Sequence, residues 1–317
     1  SLVIGPRRAN ASRQICTYSR VRASGLANGS PYQPSTTCGP DTPMPRWKRP
    51  CESDCRLSAE VASSAGLRDP SCTTNVPNPM VVVCAARWAR PWGASRTWFL
   101  TNGSSQGNLT ACMAMTGLGG SLVAQRSVHS SVIDGLAISG MVATFVTPDI
   151  DDELGITHSV TPERLDAALG ANPDARTALV VTPSYFGACA DVAALVEVAH
   201  RHDAALVVDE AWGAHLGFHP DLPTNAVRLG ADLVIASMHK LGGSLSQTAL
   251  LHVGHSEWAQ RLEPYVVRSL RSVQSTSEST LLLASLDLAR RQIAVEGQDT
   301  IGRSIASATR LLERHSS

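Results

Sequence analysis

Two residues of this sequence, Lys240 and Asp209, could do chemistry because each follows an apolar run that predicts a strand. Lys240 comes after the run Leu233–Ser237, and glycines follow it at once. This pattern predicts a buried strand and a sharp turn, which puts Lys240 at a strand's carboxyl end, where α/β sheets build their sites. The chain has only two lysines, Lys48 and Lys240, against 25 arginines. An arginine cannot form a Schiff base, whereas a lysine amine can lose its proton when it is partly desolvated.

Asp209 ends the apolar run Ala204–Asp209 and is followed directly by a glutamate. A strand that ends in Asp-Glu also occurs in P-loop ATPases, where the acid holds Mg²⁺. That interpretation requires a Gly-x-x-x-x-Gly-Lys-Ser/Thr loop, and the sequence contains none. We therefore interpret Asp209 as part of a different kind of site.

The Gly/Ser segment Asn102–Asn108 precedes a predicted helix, Leu109–Gly117. A loop that opens a helix is an anion site, because free backbone N–H groups and the positive end of the helix face outward. The hydroxyls of Ser104 and Ser105 can add hydrogen bonds to a phosphate. An ordinary helix cap is the alternative interpretation of this segment.

Together these features match the needs of pyridoxal 5'-phosphate (PLP). This cofactor requires an amine for its aldehyde, an acid beside its pyridine nitrogen, a cradle for its phosphate and a flat group on its ring. Lys240, Asp209, the Ser104/Ser105 segment and His129 supply these groups, in the chain order usual for one large fold class. The sequence therefore predicts a PLP site.

Strand and helix patterns alternate from Trp92 onward, which predicts an α/β fold with a mostly parallel sheet flanked by helices. Strands are predicted at Thr97–Thr101, Ser121–Arg126, Val142–Val146, Ala178–Thr182, Ala204–Asp209, Leu233–Ser237 and Thr248–Val253. Helices are predicted at Leu109–Gly117, Val132–Ser139, Thr161–Leu169, Val192–His202, Thr224–Leu229, Glu257–Leu270 and Leu281–Glu313.

Residues 1–90 differ from the rest in charge and composition. They carry a net charge of +7 against −7 for the remainder, and six of the eight cysteines but no histidine. Only Met80–Cys84 resembles a strand. The mix of Arg, Pro, Ser, Cys and Trp is typical of out-of-frame reading of a GC-rich gene, and a disordered extension is the alternative. No histidine completes a metal site with Cys51 and Cys55, so no metal is predicted.

The whole chain of 317 residues has a formal net charge of zero and lacks an apolar run of about 18 residues. We therefore expect neither a nucleic acid nor a membrane as a partner. Arg7 and Arg8 follow a very short apolar start, which does not resemble a signal peptide. The chain is expected to be a fragment or processed product of a cytoplasmic protein, with residues 91–317 as its PLP-binding domain.

From Trp92 to about Gln292 the sequence resembles the ornithine/lysine/arginine decarboxylase family of PLP-dependent fold type I enzymes. The family's attachment motif is Ser-x-His-Lys, two residues, two small residues, one residue, a small residue, Gln and two small residues. The segment Ser237-Met-His-Lys-Leu-Gly-Gly-Ser-Leu-Ser-Gln-Thr-Ala249 matches this motif throughout. Asp-Glu-Ala-Trp-Gly-Ala-His215 and Thr101-Asn-Gly-Ser-Ser-Gln-Gly-Asn also resemble this family.

The resemblance implies a role for each matching residue. Lys240 would hold PLP as a Schiff base, Asp209 would keep the pyridine nitrogen protonated, and His129 would stack on the ring. Ala211 would pack under the ring, and His239 would lie near the departing carboxylate. The remaining residues implied to bind the cofactor or line its site are Ser104, Ser105, Trp212, Ser237, Thr276 and Ser277.

Three departures from the family pattern stand out. The family's Pro-Gly-His-Lys motif does not occur in residues 1–90, and the usual carboxyl-terminal domain is expected to be missing. Glu278 and Thr280 stand where the family has Pro and Tyr in a segment that helps to bind phosphate across a dimer. Thr276 and Ser277 belong to that segment, so a homodimer or higher oligomer is expected.

The resemblance implies a decarboxylase that acts on a basic amino acid of the ornithine, lysine or arginine type. An aminotransferase or an aldolase-type lyase on the same fold is the alternative enzyme. A non-catalytic remnant that keeps PLP or dimerises with an intact relative is the alternative from another class.

Overall fold

One seven-stranded sheet organises the part of the chain that the structure, a computed structural model, describes, which is residues 89–315. Predictions for residues 1–88, including the Met80–Cys84 strand, lie outside the described residues. The strands are β1 (Arg96–Leu100), β2 (Ser121–Gln125), β3 (Val142–Val146), β4 (Thr177–Val181), β5 (Ala205–Asp209), β6 (Leu233–Ala236) and β7 (Ala249–Val253).

The strand order is β1-β7-β6-β5-β4-β2-β3, and neighbours from β6 to β3 pair in parallel. Only β7 runs antiparallel to its two neighbours, β1 and β6. The prediction of a mostly parallel sheet is therefore confirmed. Because β4, β5 and β6 are parallel neighbours, their last residues lie at the same edge of the sheet. These residues are Val181, Asp209 and Ala236.

Seven α-helices connect these strands within residues 89–315. They are α1 (Gly103–Met115), α2 (Ser130–Ser139), α3 (Pro162–Gly170), α4 (Val192–Arg201), the one-turn α5 (Met238–Leu241), α6 (Glu257–Val273) and α7 (Thr280–His315). A short 3₁₀ helix, Arg90–Trp92, precedes β1. None of these helices combines the length and the hydropathy that crossing a membrane requires.

The helices cover both faces of the sheet, and strand alternation explains why. In β5, Val207 packs in the cluster that includes α1, α2 and α6, whereas Leu206 and Val208 pack with α3 and α4. Successive side chains of a strand point to opposite faces, so two separate cores form on one sheet. The long helix α7 completes the second face, where Leu286 packs with Trp92 and Phe99.

The buried carboxylate of Asp232 fixes the entry to β6 and thereby the strand that leads to Lys240. It accepts the backbone N–H of Leu206 at 2.6 Å and a hydrogen bond from Ser256, the N-cap of α6. His200 Nε2 lies 3.0 Å from Asp232 Oδ2, the same oxygen that accepts the N–H of Leu206. This hydrogen bond raises the pKa of His200. One side chain therefore joins β5, β6 and the start of α6.

Two of the predicted helices need correction. The helix predicted at Leu109–Gly117 begins at Gly103, because Gly103 with φ of 71° makes the sharp turn by itself. Most of the predicted Gly/Ser loop is therefore the first two turns of α1.

The short helix predicted at Thr224–Leu229 is wrong, since hydrogen-bonded turns occupy this stretch. Asn225 Oδ1 accepts the N–H of Arg228, as a helix N-cap does, and one helical bond follows, from the N–H of Leu229 to the carbonyl oxygen of Asn225. Gly230 with φ of 100° then turns the chain toward β6, so the stretch ends after this single turn.

Helix α1 approaches the sheet so closely that Gly107 has no room for a side chain. A Cβ atom there would lie 2.6 Å from Cγ2 of Ile235 and 3.1 Å from Cδ1 of Leu100. We expect Gly107→Ala to lower the free energy of unfolding by about 1–3 kcal/mol, as overpacked cores do, measured by urea unfolding of the 317-residue chain. Gly120→Ala is the control, because nothing lies within 4 Å of the added atom. Equal stability of the two variants would contradict the close approach.

Candidate active site

A cavity of about 270 Å³ opens at the sheet edge where β4, β5 and β6 end. Every predicted site residue outside the Ser275–Thr280 segment lines it. They are Ser104, Ser105, His129, Asp209, Ala211, Trp212, Ser237, His239 and Lys240. The fold therefore brings together residues that are up to 136 positions apart in the sequence.

Lys240 lies in α5, the single helical turn that follows β6. Its Nζ atom sits 4.2 Å from the centre of the Trp212 ring, a contact that favours a cation. Burial nevertheless lowers the pKa of Lys240, and the negative charge of Asp209 opposes that shift. Partial desolvation therefore makes the neutral amine more accessible than it is on a solvated lysine.

Asp209 is the last residue of β5 and only 2% of it is exposed. Its Oδ1 accepts the N–H of Ala211 at 3.1 Å, and its Oδ2 accepts Nδ2 of Asn108 at 2.9 Å. Burial raises the pKa of Asp209, while these hydrogen bonds and the charge of Lys240 lower it. No residue from 89 to 315 forms a salt bridge with it, so the site holds a carboxyl group that a cation would stabilise.

Ser104 and Ser105 lie in the first turn of α1, a helix of 13 residues, at its positive end. The hydroxyl of Ser104 lies 2.5 Å from that of Ser237, the residue that precedes α5. The start of one helix and the approach to Lys240 thus meet at two hydroxyl groups. Hydroxyls at a helix N-terminus suit the oxygen atoms of a phosphate.

The two predicted histidines are each held by one ring nitrogen. His129 is the N-cap of α2, and its Nδ1 accepts the N–H of Ser131 at 3.2 Å. His239 Nδ1 lies 2.8 Å from the carbonyl oxygen of Thr248. Because a carbonyl only accepts, His239 carries its proton on Nδ1, and its Nε2 can accept a proton or a hydrogen bond in the cavity.

Asn108 and Tyr185 are among the cavity-lining side chains that the sequence analysis did not predict. Asn108 is 1% exposed and bonds directly to Asp209. Tyr185 is 76% exposed and meets Trp212 edge to face, with ring centres 5.4 Å apart. Asn108 belongs to the predicted Gly/Ser segment, but only the packing shows that its side chain reaches the cavity.

Thr276 and Ser277 do not reach this cavity within the described chain. Both are exposed in the segment between α6 and α7, and Ser277 lines a separate polar cavity of about 470 Å³ with Gln106 and Glu278. Burial raises the pKa of Glu278 to about 6. The expectation that Thr276 and Ser277 act across a dimer stays a prediction.

Comparisons with known proteins show the family of this chain. The profile of the family described as Orn/Lys/Arg decarboxylase, major domain, matches residues 81–316. The arginine decarboxylase of Bacillus subtilis (strain 168) is 40% identical over 226 residues, which is 71% of this chain and 46% of that protein. The chain thus spans about half the length of the curated relatives it matches.

Solved structures share the fold. Lysine decarboxylase A from Pseudomonas aeruginosa matches with a TM-score of 0.60 and 26% identity, over 70% of this chain and 32% of that one. A chain described as SPT with PLP matches with a TM-score of 0.51 and 20% identity, over 66% of this chain and 49% of that one. The second likeness concerns the fold alone.

The opposing effects on Lys240 give a test of the site's electrostatics. Asp209→Asn removes the negative charge that raises the pKa of Lys240, so we expect that pKa to fall further. At a given pH more of the amine is then neutral, and reductive alkylation by a small aldehyde should reach its half-maximal rate at lower pH. The rate is measured at Lys240 by peptide mass mapping.

Asp134→Asn is the matched control for this experiment, because Asp134 is exposed on α2. It should leave the pH profile of Lys240 alkylation unchanged. If Asp209→Asn leaves the pH profile unchanged, or shifts it to higher pH, the charge of Asp209 does not raise the pKa of Lys240.

Proposed function

This chain belongs to the Orn/Lys/Arg decarboxylase family, and we propose that it forms the PLP-binding part of a decarboxylase that acts on a basic amino acid. The observation that carries the proposal is the shared cavity of Lys240, Asp209 and the Ser104–Ser237 pair. It contains an amine, a buried carboxyl group and two hydroxyls at a helix start. These are the groups that PLP requires.

The described residues fit this cofactor. Asp209 is buried without a salt bridge to any residue from 89 to 315, and a protonated pyridine nitrogen would supply the missing positive charge. Ser104, Ser105 and Ser237 would hold the phosphate, and Lys240 would bind the aldehyde carbon. His129 would lie on one face of the ring and Ala211 on the other, with Trp212 beside them.

When bound, PLP supplies a conjugated ring that takes up the electron pair of the broken bond between Cα and the carboxylate. The protein residues control the charges around that event. Asp209 would hold a proton on the ring nitrogen, because a carboxylate beside a pyridinium favours the ionised pair. Lys240 Nζ, whose pKa burial lowers, would bind the aldehyde carbon and would also be the group placed to carry a proton to or from Cα.

His239 would lie near the departing carboxylate. Its Nδ1 is tied to the carbonyl of Thr248, which fixes the ring and leaves Nε2 for the substrate. The contacts of the protein with the substrate would decide which bond at Cα breaks. Contacts such as that of His239 would select the carboxylate bond.

The substrate class rests on the relatives, which are named arginine and lysine decarboxylases. We propose a basic amino acid of the arginine, lysine or ornithine type. The aminotransferase and aldolase-type alternatives on the same fold receive no support from these names. A non-catalytic form that retains PLP is the second candidate, because Glu278 and Thr280 stand where the family has Pro and Tyr.

We also propose that the site is completed in a homodimer or higher oligomer. Thr276 and Ser277 lie outside the cavity of Lys240 and are exposed on their own chain. A second copy related by two-fold symmetry could present this segment to the phosphate, as isologous interfaces allow.

The proposal predicts that PLP attaches to Lys240. Borohydride reduction of the protein with PLP, followed by peptide mapping, should place the pyridoxyl group on Lys240, because its amine is partly desolvated and lies in the cavity. Lys48→Arg is the matched control and should be labelled as strongly as the unchanged chain. A label on Lys48, or no label, would refute the assignment.

A second prediction concerns turnover. We expect Asp209→Asn to reduce release of CO₂ from arginine, lysine or ornithine by about 10²–10⁴-fold, because removing one partner of a buried ion pair costs about 3–5 kcal/mol and each 1.4 kcal/mol is about tenfold in rate. PLP should still attach to Lys240, since the serine hydroxyls and the amine remain.

The matched control for turnover is again Asp134→Asn, which should keep the unchanged rate. Near-normal turnover with Asn at position 209 would remove the electrostatic role of the carboxylate. If the unchanged chain carries PLP on Lys240 but releases CO₂ from none of the three amino acids, the non-catalytic candidate is favoured.

A further inference from the structure

Four polar side chains form an unbroken hydrogen-bonded line that begins at Asp209 and ends at His129. Asn108, in the middle of α1, donates Nδ2 to Asp209 Oδ2 at 2.9 Å and to Ser131 Oγ at 3.0 Å. Ser131 Oγ lies 2.8 Å from His129 Nδ1. Asn108 and Ser131 are 1% and 5% exposed, so the two bonds that Asn108 donates are shielded from water, whereas His129 at the end of the line is exposed.

This line exists because α1 and α2 approach each other closely at Gly135. A Cβ atom on Gly135 would lie 2.8 Å from Sγ of Cys112 and 3.5 Å from the carbonyl oxygen of Asn108. The absence of a side chain at Gly135 lets the first turn of α2 reach the middle of α1. Ser131 is thereby placed between Asn108 and His129.

The chemistry of each group fixes where the protons lie. An amide nitrogen has two protons, and Asn108 uses one for Asp209 and one for Ser131. The hydroxyl of Ser131 accepts from Asn108 and is left to donate its own proton to His129 Nδ1. The backbone N–H of Ser131 donates to the same nitrogen at 3.2 Å. Because His129 Nδ1 receives two donors, the neutral ring must carry its proton on Nε2.

The orientation of the Asn108 amide is set by Asp209. The opposite orientation would point the amide oxygen at a carboxylate oxygen, and two acceptors repel each other. In the orientation found here Asn108 Oδ1 has no hydrogen-bond partner among residues 89–315, although it is buried. This orientation leaves one buried oxygen without a hydrogen bond, but in it both amide protons form hydrogen bonds.

We propose that Asn108 and Ser131 are positioning residues that couple the carboxylate of Asp209 to the imidazole of His129 and hold that ring with its proton on Nε2. The two groups proposed to contact the ring of PLP, one at its nitrogen and one on its face, are then oriented by a single hydrogen-bonded line. Their role at the cofactor rests on the proposed function, whereas the proton position in His129 does not.

Nuclear magnetic resonance of the imidazole ¹⁵N nuclei tests the proposal in the 317-residue chain without PLP. The signals of His129 are assigned by their loss in His129→Gln. The unchanged chain should show a protonated Nε2 and an unprotonated Nδ1. Ser131→Ala removes one of the two donors to Nδ1, so the fraction of rings protonated on Nδ1 should rise.

Asn108→Ala should produce a shift in the same direction, because the Ser131 hydroxyl loses the donor that directs its own proton toward His129. The double variant should shift no further than Ser131→Ala alone, since both changes break one line. Ser131→Thr keeps a hydroxyl at the same position and should restore the pattern of the unchanged chain. Ser139→Ala, on the same helix, and Asn172→Ala, at the end of α3, are the matched controls.

Three results would overturn the proposal. The first is a wild-type ring with its proton on Nδ1. The second is a loss of stability in Asn108→Ala and Ser131→Ala with the His129 signals unchanged, which would make both residues merely structural. The third is independent, additive shifts in the double variant. Each readout is taken without cofactor or substrate, so failure of the proposed function would leave it unaffected.

Discussion

The burial of one carboxyl group, that of Asp209, is the constraint on which the rest of the site depends. A charged group at 2% exposure is costly unless hydrogen bonds and opposite charges surround it. The fold supplies an N–H from Ala211, an amide proton from Asn108 and the nearby charge of Lys240. Those three contacts draw on the turn after β5, the middle of α1 and the turn after β6. The cavity is therefore the place where these elements meet, and its remaining need for positive charge is what makes it suited to a protonated ring.

The strands and the main site residues could be predicted because local pattern determines them. Apolar runs of about five residues mark strands that are buried on both faces, and parallel pairing brings their ends to one edge. Lys240 and Asp209 each follow such a run, so their meeting follows from sheet topology without knowledge of any side-chain contact. The attachment motif around Lys240 then identified the family, which the comparisons confirm.

The contacts that could not be predicted depend on how helices lie against one another. Asn108 reaches Asp209 only because α1 starts at Gly103 and packs against β6 at Gly107. Ser131 reaches Asn108 only because Gly135 lets α2 approach. The turns at Asn225–Gly230 were mistaken for a helix because Asn225 caps a single helical turn, which Gly230 with φ of 100° ends at once. In the first two cases a tertiary contact decides the outcome, and in the third a local reversal of the backbone does.

Asp209 and Glu210 are neighbours in the chain, yet the structure gives them opposite roles. The alternation of a strand sends the first toward α1 and Lys240, and the second toward the turn at Ala226, whose N–H it accepts at 2.8 Å. Among residues 89–315 no cationic side chain forms a salt bridge with Glu210, and burial raises its pKa to about 8. Burial therefore favours its neutral form. Since this raised pKa makes the folded chain bind a proton that the unfolded chain releases above about pH 4.5, Glu210 costs stability as the pH rises toward 8. Burial thus raises the pKa of both adjacent acids, but only Asp209 lines the cavity, so only Asp209 can serve a cation there.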